Sequence, residues 1–377
     1  MEKYILNQKK EMLDLIEQLV NIDSGSYYKK GIDRVAEILI KQFREMSFQV
    51  TIKKNKRYGN NVVIEYEENK ETDILLVAHM DTVFPEGTVS ERPFTIKGTR
   101  AYGPGVIDMK SSLVTLLYAI KALHHQHNNA YKNVTIILNS DEEIGSPTSR
   151  KLIEEVSATK KYALIMEPAR KDGSIVSERR GGGKYILSVK GKAAHSGVSP
   201  EEGKSAIEEL AHKIIKLQQL NNAQKGISIN VGMIEGGNAV NVVPSEAKGM
   251  VDVRITSSDQ AKYVRKRIEE ICAKPDIKGT NITLKGGINR LPLELNKANK
   301  KLLQVIQDAA DSIGIELKAV HTGGGSDASF PANLGVATMD GLGPVGGGLH
   351  NEDEYLEIDS LTERCFLLAE TISRLSE

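Results

Sequence analysis

The chain has 377 residues, comfortable for two domains, and its 40% hydrophobic content supplies a large core. Fifty basic residues balance fifty acidic ones, which argues against a surface built for nucleic acid or an anionic membrane. No apolar run approaches the roughly 20 residues of a membrane span.

In chain order, apolar positions at helical spacing predict a helix over Glu2–Val20, whose interspersed charges exclude a signal peptide, and a second over Gly31–Met46. Strands are expected at Phe48–Lys53, Asn61–Tyr66 and Ile74–Ala78. A helix is expected from Met109 to His124, then strands at Val134–Leu138 and Tyr162–Met166. The runs ILLVA, VTIIL and YALIM are short and apolar on both faces, as in central strands of a covered, mostly parallel sheet. After RRGGGK the order becomes strand Lys184–Val189, helix Glu202–Leu220, strands Ile227–Ile234 and Ala247–Ile255, helix Asp259–Ala273 and strand Asn281–Leu284. This βαββαβ order suits a ferredoxin-like sandwich. The first pattern then resumes with a helix at Asn299–Ile313, strands at Glu316–Val320 and Val336–Met339, and a helix at Ser360–Leu375. The expected organisation is an α/β catalytic domain in two parts, 1–180 and 289–377, with a small domain over 181–288 inserted between them. Cys272 and Cys365 form no paired-ligand motif and read as reduced thiols of a cytoplasmic protein.

Three buried runs end on groups that bind metal. ILLVA leads to His79 and Asp81, VTIIL to Asp141, Glu142 and Glu143, and YALIM to Glu167. Carboxyl ends of neighbouring parallel strands share one sheet edge, so these side chains can converge. Asp81 suits a hydrogen bond from one ring nitrogen of His79, leaving the other for a metal. Of the adjacent glutamates, Glu143 is assigned as ligand and Glu142 as general base. Asp108 follows a glycine–proline turn and also reads as a helix cap. His350 follows a glycine-rich loop. The cluster His124, His125 and His127 lies some 16 residues beyond Asp108, roughly 24 Å along a helix, and reads as a polar helix terminus.

The ordered set HMDTV, YGPGVIDMK, NSDEEIGS, MEP and LHNEDE resembles the cocatalytic zinc peptidase family. That family contains glutamate carboxypeptidases, succinyl-diaminopimelate desuccinylases, aminoacylases and di- and tripeptidases; the motifs look most like those of the bacterial glutamate carboxypeptidases. The resemblance implies a zinc-exopeptidase fold with a lid/dimerisation domain, and two zinc ions per subunit, cobalt or manganese also suiting oxygen and nitrogen ligands. Asp108 would bridge the ions, His79 and Glu167 completing one set and Glu143 with His350 the other. A cis peptide bond at Asp108–Met109 is implied too. His195, in GKAAHSG, would polarise the scissile carbonyl across a homodimer. Asn241, Arg254 and the backbone N–H groups of Gly325 and Ser326 would hold a substrate carboxylate.

The expected activity is hydrolysis of a small peptide or N-acyl amino acid beside a free α-carboxylate, by a metal-bridging water that Glu142 activates. No clear lysine follows MEP to favour a glutamate side chain. Related readings are an N-acyl-amino-acid deacylase or a di- or tripeptidase; a different one is a catalytically silent protein that binds amino-acid conjugates.

Overall fold

The computed structural model describes residues 1–66 and 71–377. The chain divides into two compact units: Met1–Glu178 with Leu295–Thr322 and Ser326–Glu377, and Arg179–Glu294 with Gly323–Gly325.

The main strands in chain order are β1 (Phe48–Lys53), β2 (Asn61–Tyr66), β3 (Ile74–His79), β4 (Val134–Asn139), β5 (Tyr162–Ile165), β6 (Gly181–Lys190), β7 (Ser228–Gly236), β8 (Glu246–Ile255), β9 (Asn281–Arg290) and β10 (Ala337–Met339). The first unit is built on a six-stranded sheet in the order β1-β2-β4-β3-β5-β10. β4, β3, β5 and β10 run parallel, and β2 is antiparallel to β4. Every residue of β3 and β4 is buried, as unbroken apolar runs covered on both faces require. The helix Ser111–His125 is apolar on nearly every side because it packs against Lys9–Val20, β3 and Ile358–Leu375.

The second unit carries a four-stranded antiparallel sheet, β7-β8-β6-β9, backed by the helices Ala206–Gln218 and Ser258–Ala273. Strand order and connections are those of a ferredoxin-like sandwich. Its core is separate, drawn from alternate residues such as Tyr185, Leu187, Val189, Val251 and Val253.

Three expectations shift. The N-terminal helix divides at Gln8 into Glu2–Asn7 and Lys9–Val20. β9 runs on to Arg290, so the second unit closes at Glu294, beyond residue 288. The expected strand at Glu316–Val320 forms later, at Ala319–Thr322, and pairs with Ile175–Arg179 outside the main sheet. Leu317 is buried and its carbonyl accepts from Gln307 Nε2, which ties the preceding residues to a helix.

Candidate metal centre

β3 lies between β4 and β5, with His79 opposite Asn139 and Val77 opposite Ile165. His79 ends β3, Asp141–Glu143 follow β4 within a few residues, and Glu167 follows β5. The sheet therefore delivers all three ligand-bearing endings to one edge. Asp108 comes to the same place from the turn before Ser111–His125, with non-helical φ −115° and ψ 88°. The Asp108–Met109 peptide is cis. His350 arrives on the glycine-rich loop, in the left-handed region at φ 60°.

Asp108 is central. Its Oδ1 is 3.1 Å from His79 Nε2, and its Oδ2 is 3.3 Å from His350 Nε2. On one side Glu167 Oε1 is 3.8 Å from His79 Nε2; on the other Glu143 Oε2 is 3.2 Å from His350 Nε2. Ligand atoms of His79, Glu142 and Glu167 lie within 4.8 Å of one another, as do those of His79, Asp108 and Glu143. The five expected ligands and Glu142 thus gather around a carboxylate whose two oxygens face opposite ways.

The three consecutive acids have different fates. Asp141 is fully buried and turns inward, accepting from Thr148 N at 2.7 Å, Thr148 Oγ1 at 2.6 Å and Ser149 Oγ. It fixes the turn, leaving Glu142 and Glu143 for the site. Asp81 organises those two: its Oδ1 accepts the Glu142 N–H at 3.1 Å and its Oδ2 the Glu143 N–H at 3.2 Å. Ser26 Oγ donates to the same Oδ2 at 2.7 Å. The His79 Nδ1 contact differs from expectation: it is 2.9 Å from the main-chain oxygen of Asp81 and 3.5 Å from the carboxylate. The carboxylate is occupied by N–H and O–H donors, so the carbonyl orients the imidazole.

Glu354, the last acid of LHNEDE, has a role that the motif does not reveal. It is fully buried, and its carboxylate accepts the N–H groups of Gly105, Ile107 and Asp108 at 2.8, 2.8 and 2.9 Å. Four residues after His350, it fastens one ligand loop to the other. Glu354→Gln places an NH₂ group against those donors; zinc affinity, measured by chelator competition, is expected to fall by about 10–100-fold while the circular dichroism spectrum is kept. Unchanged affinity would remove the positioning role.

Electrostatics fit a cationic occupant. Burial pushes Glu143 and Glu167 up, Glu167 well above the carboxylate range, and neighbouring Asp108 adds repulsion. Burial pulls His79 down, yet the nearby carboxylates of Asp108, Asp81 and Glu167 carry it well above the imidazole range. His350 is raised to about 10 by its bonds to Asp108 and Glu143. Burial also acts on Asp108, but His350 and His79 hold it below the ordinary range. Glu143 Oε1 is buried with no hydrogen-bond partner among the described residues. An orphaned carboxylate oxygen amid mutually repelling acids is what divalent ions satisfy. The donors are oxygen and imidazole nitrogen without thiolate, a set that suits zinc, cobalt or manganese.

The histidines at the end of Ser111–His125 engage aromatic rings. His125 stacks on Tyr4 and His124 meets Tyr131 edge-on. Cys272 and Cys365 are buried free thiols.

Of the remaining expected residues, His195, Asn241, Arg254 and Gly325 belong to the second unit and Ser326 to the first. His195 pairs with Val242, and the neighbouring Ser196 N–H donates to the Asn241 carbonyl, near the Glu246 end of β8. His195 is exposed, and its Nδ1 accepts the Gly197 N–H at 3.1 Å. Arg254 lies at the opposite end of β8, with Nε and Nη2 bonded to Asp252 at 2.9 and 3.1 Å. Arg290, overlooked in the sequence, pairs with the same Gly182 as Arg254 from the other side of β6. Its side chain runs beside Gly325: a Cβ there would lie 3.0 Å from Arg290 Cδ. Gly325 is exposed, whereas Ser326, in the first unit, is buried and donates its hydroxyl to Asp340. That inward bond leaves the Ser326 hydroxyl committed to packing.

The sequence pattern of peptidase family M20/M25/M40 matches residues 75–374. The chain belongs to that family. Among curated relatives, carboxypeptidase G2 of Pseudomonas sp. is 28% identical, over 98% of this chain and 90% of that protein. Among solved structures, aminopeptidase PepT of Bacillus cereus superposes with a TM-score of 0.81 at 22% identity, covering 98% of this chain and 99% of that one. The YXEP protein of Bacillus subtilis, described as a dinuclear metal binding peptidase, superposes at 0.70 with 16% identity, covering 97% and 98%. These likenesses establish a mixed α/β family fold with a mostly parallel main sheet and a separate antiparallel one. Among the described residues no helix is long and apolar enough to cross a membrane.

Proposed function

We propose that the chain hydrolyses a peptide or N-acyl amide bond beside a free α-carboxylate, with the first unit catalytic and the second a lid and dimerisation domain. The reading rests chiefly on Asp108, whose two oxygens meet His79 on one side and His350 on the other. His79, Asp108 and Glu167 would hold one zinc ion, and Asp108, Glu143 and His350 a second. When bound, the ions supply Lewis-acid chemistry, lowering the pKa of water toward about 7 and polarising the carbonyl. Glu142 takes the proton of the attacking water and returns it to the leaving amine. Asp81 holds Glu142 and Glu143 in register through their main-chain N–H groups. Because Nδ1 of His195 accepts a hydrogen bond, its neutral ring carries the proton on Nε2, ready to donate to the oxyanion.

Asn241, Arg254 and the Gly325–Ser326 backbone are the proposed carboxylate contacts. Arg290 is a second candidate, because its side chain runs beside Gly325, whereas Asp252 bonds the Nε–Nη2 edge of Arg254. Alanine substitution decides between them: the one that binds the carboxylate raises KM by about 10–100-fold, on the scale of a lost charge-assisted pair, and the other does not.

Ten residues of β8, roughly 30 Å, separate the His195 and Arg254 ends. One substrate needing both takes them from two copies, which favours a homodimer. β7, one of the two edge strands of the lid sheet, exposes Met233 and Ile234, an apolar edge suited to that contact. Mixing His195→Ala with Glu142→Gln subunits is expected to restore part of the activity; a mixture as inactive as its parents removes the cross-subunit role.

A release assay over N-acyl amino acids and C-terminal dipeptides tests the whole reading. Release of a carboxylate-bearing amino acid supports it, and the pattern separates carboxypeptidase from deacylase or di- and tripeptidase. Binding without release by metal-loaded protein would favour the silent conjugate-binding reading.

A further inference from the structure

Beside the carboxylate cluster the first unit holds a cavity of about 420 Å³ with no role in the chemistry above. Two segments, from Gly25 to Tyr28 and from Thr82 to Glu86, form its walls, and Glu143 with Ile144 closes it. The cavity is therefore continuous with a group proposed to hold metal. Its walls are joined by Thr82 N–H donating to Ser24 O at 2.9 Å and Ser26 N–H to Thr82 O at 3.2 Å. Asp23 accepts the N–H groups of Gly87 and Val89. A Cβ at residue 25 would lie 2.3 Å from the Phe84 carbonyl oxygen, so only glycine permits this approach. Ser26 also bonds to Asp81, the carboxylate that accepts the Glu142 N–H. The wall and the base share one network.

The lining chemistry is selective. Tyr27, Tyr28 and Phe84 supply aromatic surface. Tyr27 is supported by the buried ring of Tyr58, centroids 5.8 Å apart, and the Arg92 guanidinium stands 4.8 Å from the Phe84 centroid. Held rings favour flat or branched apolar groups. The charged lining consists of two carboxylates, Glu86 and Glu143, with no lysine or arginine among the described lining residues. A ligand acid reaching Glu86 would meet like charge there, and no cationic side chain among the described residues lines the wall beside it.

We infer that this cavity receives the acyl portion of the substrate and selects a neutral aromatic or branched apolar acyl group over an acidic one such as succinyl. The inference rests on the proposed hydrolysis. The carboxylate-bearing leaving group is assigned to residues of the second unit and the 323–326 loop, none of which lines this cavity, so the acyl group is what remains to fill it.

The test compares kcat/KM of metal-loaded protein on N-benzoyl-, N-acetyl- and N-succinyl-L-alanine. N-benzoyl is expected to exceed N-acetyl by at least about ten-fold, since even one methylene in an apolar pocket reaches that range, and to exceed N-succinyl by more. Tyr27→Ala and Phe84→Ala should draw the benzoyl-to-acetyl ratio toward one, and Glu86→Lys should raise succinyl relative to acetyl. Tyr27 is 70% exposed, so its replacement spares the core. A wild-type benzoyl-to-acetyl ratio of one or less, or one that neither aromatic variant moves, overturns the inference while hydrolysis itself still upholds the proposed function. Calorimetry on Glu142→Gln separates the opposite failure. If nothing is hydrolysed but N-benzoyl-L-alanine binds at least about ten-fold tighter than the acetyl compound, the proposed reaction falls and the cavity assignment stands.

Discussion

Glu142→Gln is expected to lower kcat by about 10²–10⁴-fold, the usual worth of a positioned general base, with metal content unchanged. The substitution keeps the side chain's size and removes its capacity to take a proton. Its main-chain N–H still donates to Asp81, so the turn that presents Glu143 is retained. This is why the variant separates chemistry from assembly: a lost ligand lowers metal content and kcat together, a lost base only kcat. Near-normal turnover with full metal content would move the base elsewhere, and loss of metal would make Glu142 a ligand.

Removing metal is expected to have the second large effect, on stability, and with a defined pH dependence. In metal-free protein, burial raises Glu143 and Glu167, brings Glu354 to about 7, and ion pairing raises His350 to about 10. Each folded-state pKa lies above its unfolded value, so the folded chain binds more protons than the unfolded one. The associated stability is complete below the unfolded values and is lost as pH rises through the folded ones. From about pH 4.5 to 7 for Glu354, and from about 6.5 to 10 for His350, these groups therefore make the metal-free protein less stable as pH climbs. Asp108, shifted the other way, acts only at more acidic pH. Divalent ions replace the protons, so the gain in Tm on adding zinc should grow over the same window. At free zinc about 1,000 times Kd the gain is about 4 kcal/mol, on the order of 5 °C for a chain of this length. Thermal melts with and without chelator at several pH values check this. A zinc gain that shrinks as pH rises would contradict the proton-for-metal exchange.

Much of the fold was legible because burial writes itself into composition. The runs ILLVA, VTIIL and YALIM are too apolar and too short for anything but central strands, and their endings put His79, Glu143 and Glu167 on one edge. The βαββαβ order of the second unit was readable for the same reason, from alternating apolar positions. What escaped were pairings that only the folded chain makes. Nothing local distinguishes Asp141, which turns into the protein, from Glu142 and Glu143, which do not; the difference comes from Thr148 and Ser149 closing on it. Glu354 stayed hidden because its donors are main-chain N–H groups some 250 residues earlier, and backbone donors leave no trace in a motif. The pairing of Arg254 with Asp252 was the avoidable omission: Asp252, two residues earlier on a strand, shares its face and is a legible partner.

Anomalous diffraction from crystals of the zinc-loaded protein tests the central claim most directly. The account predicts two zinc peaks per chain, one bound by His79 and Glu167 and one by Glu143 and His350, with Asp108 between them touching both. A single peak, or zinc bound away from Asp108 while these side chains stay dispersed, would contradict it.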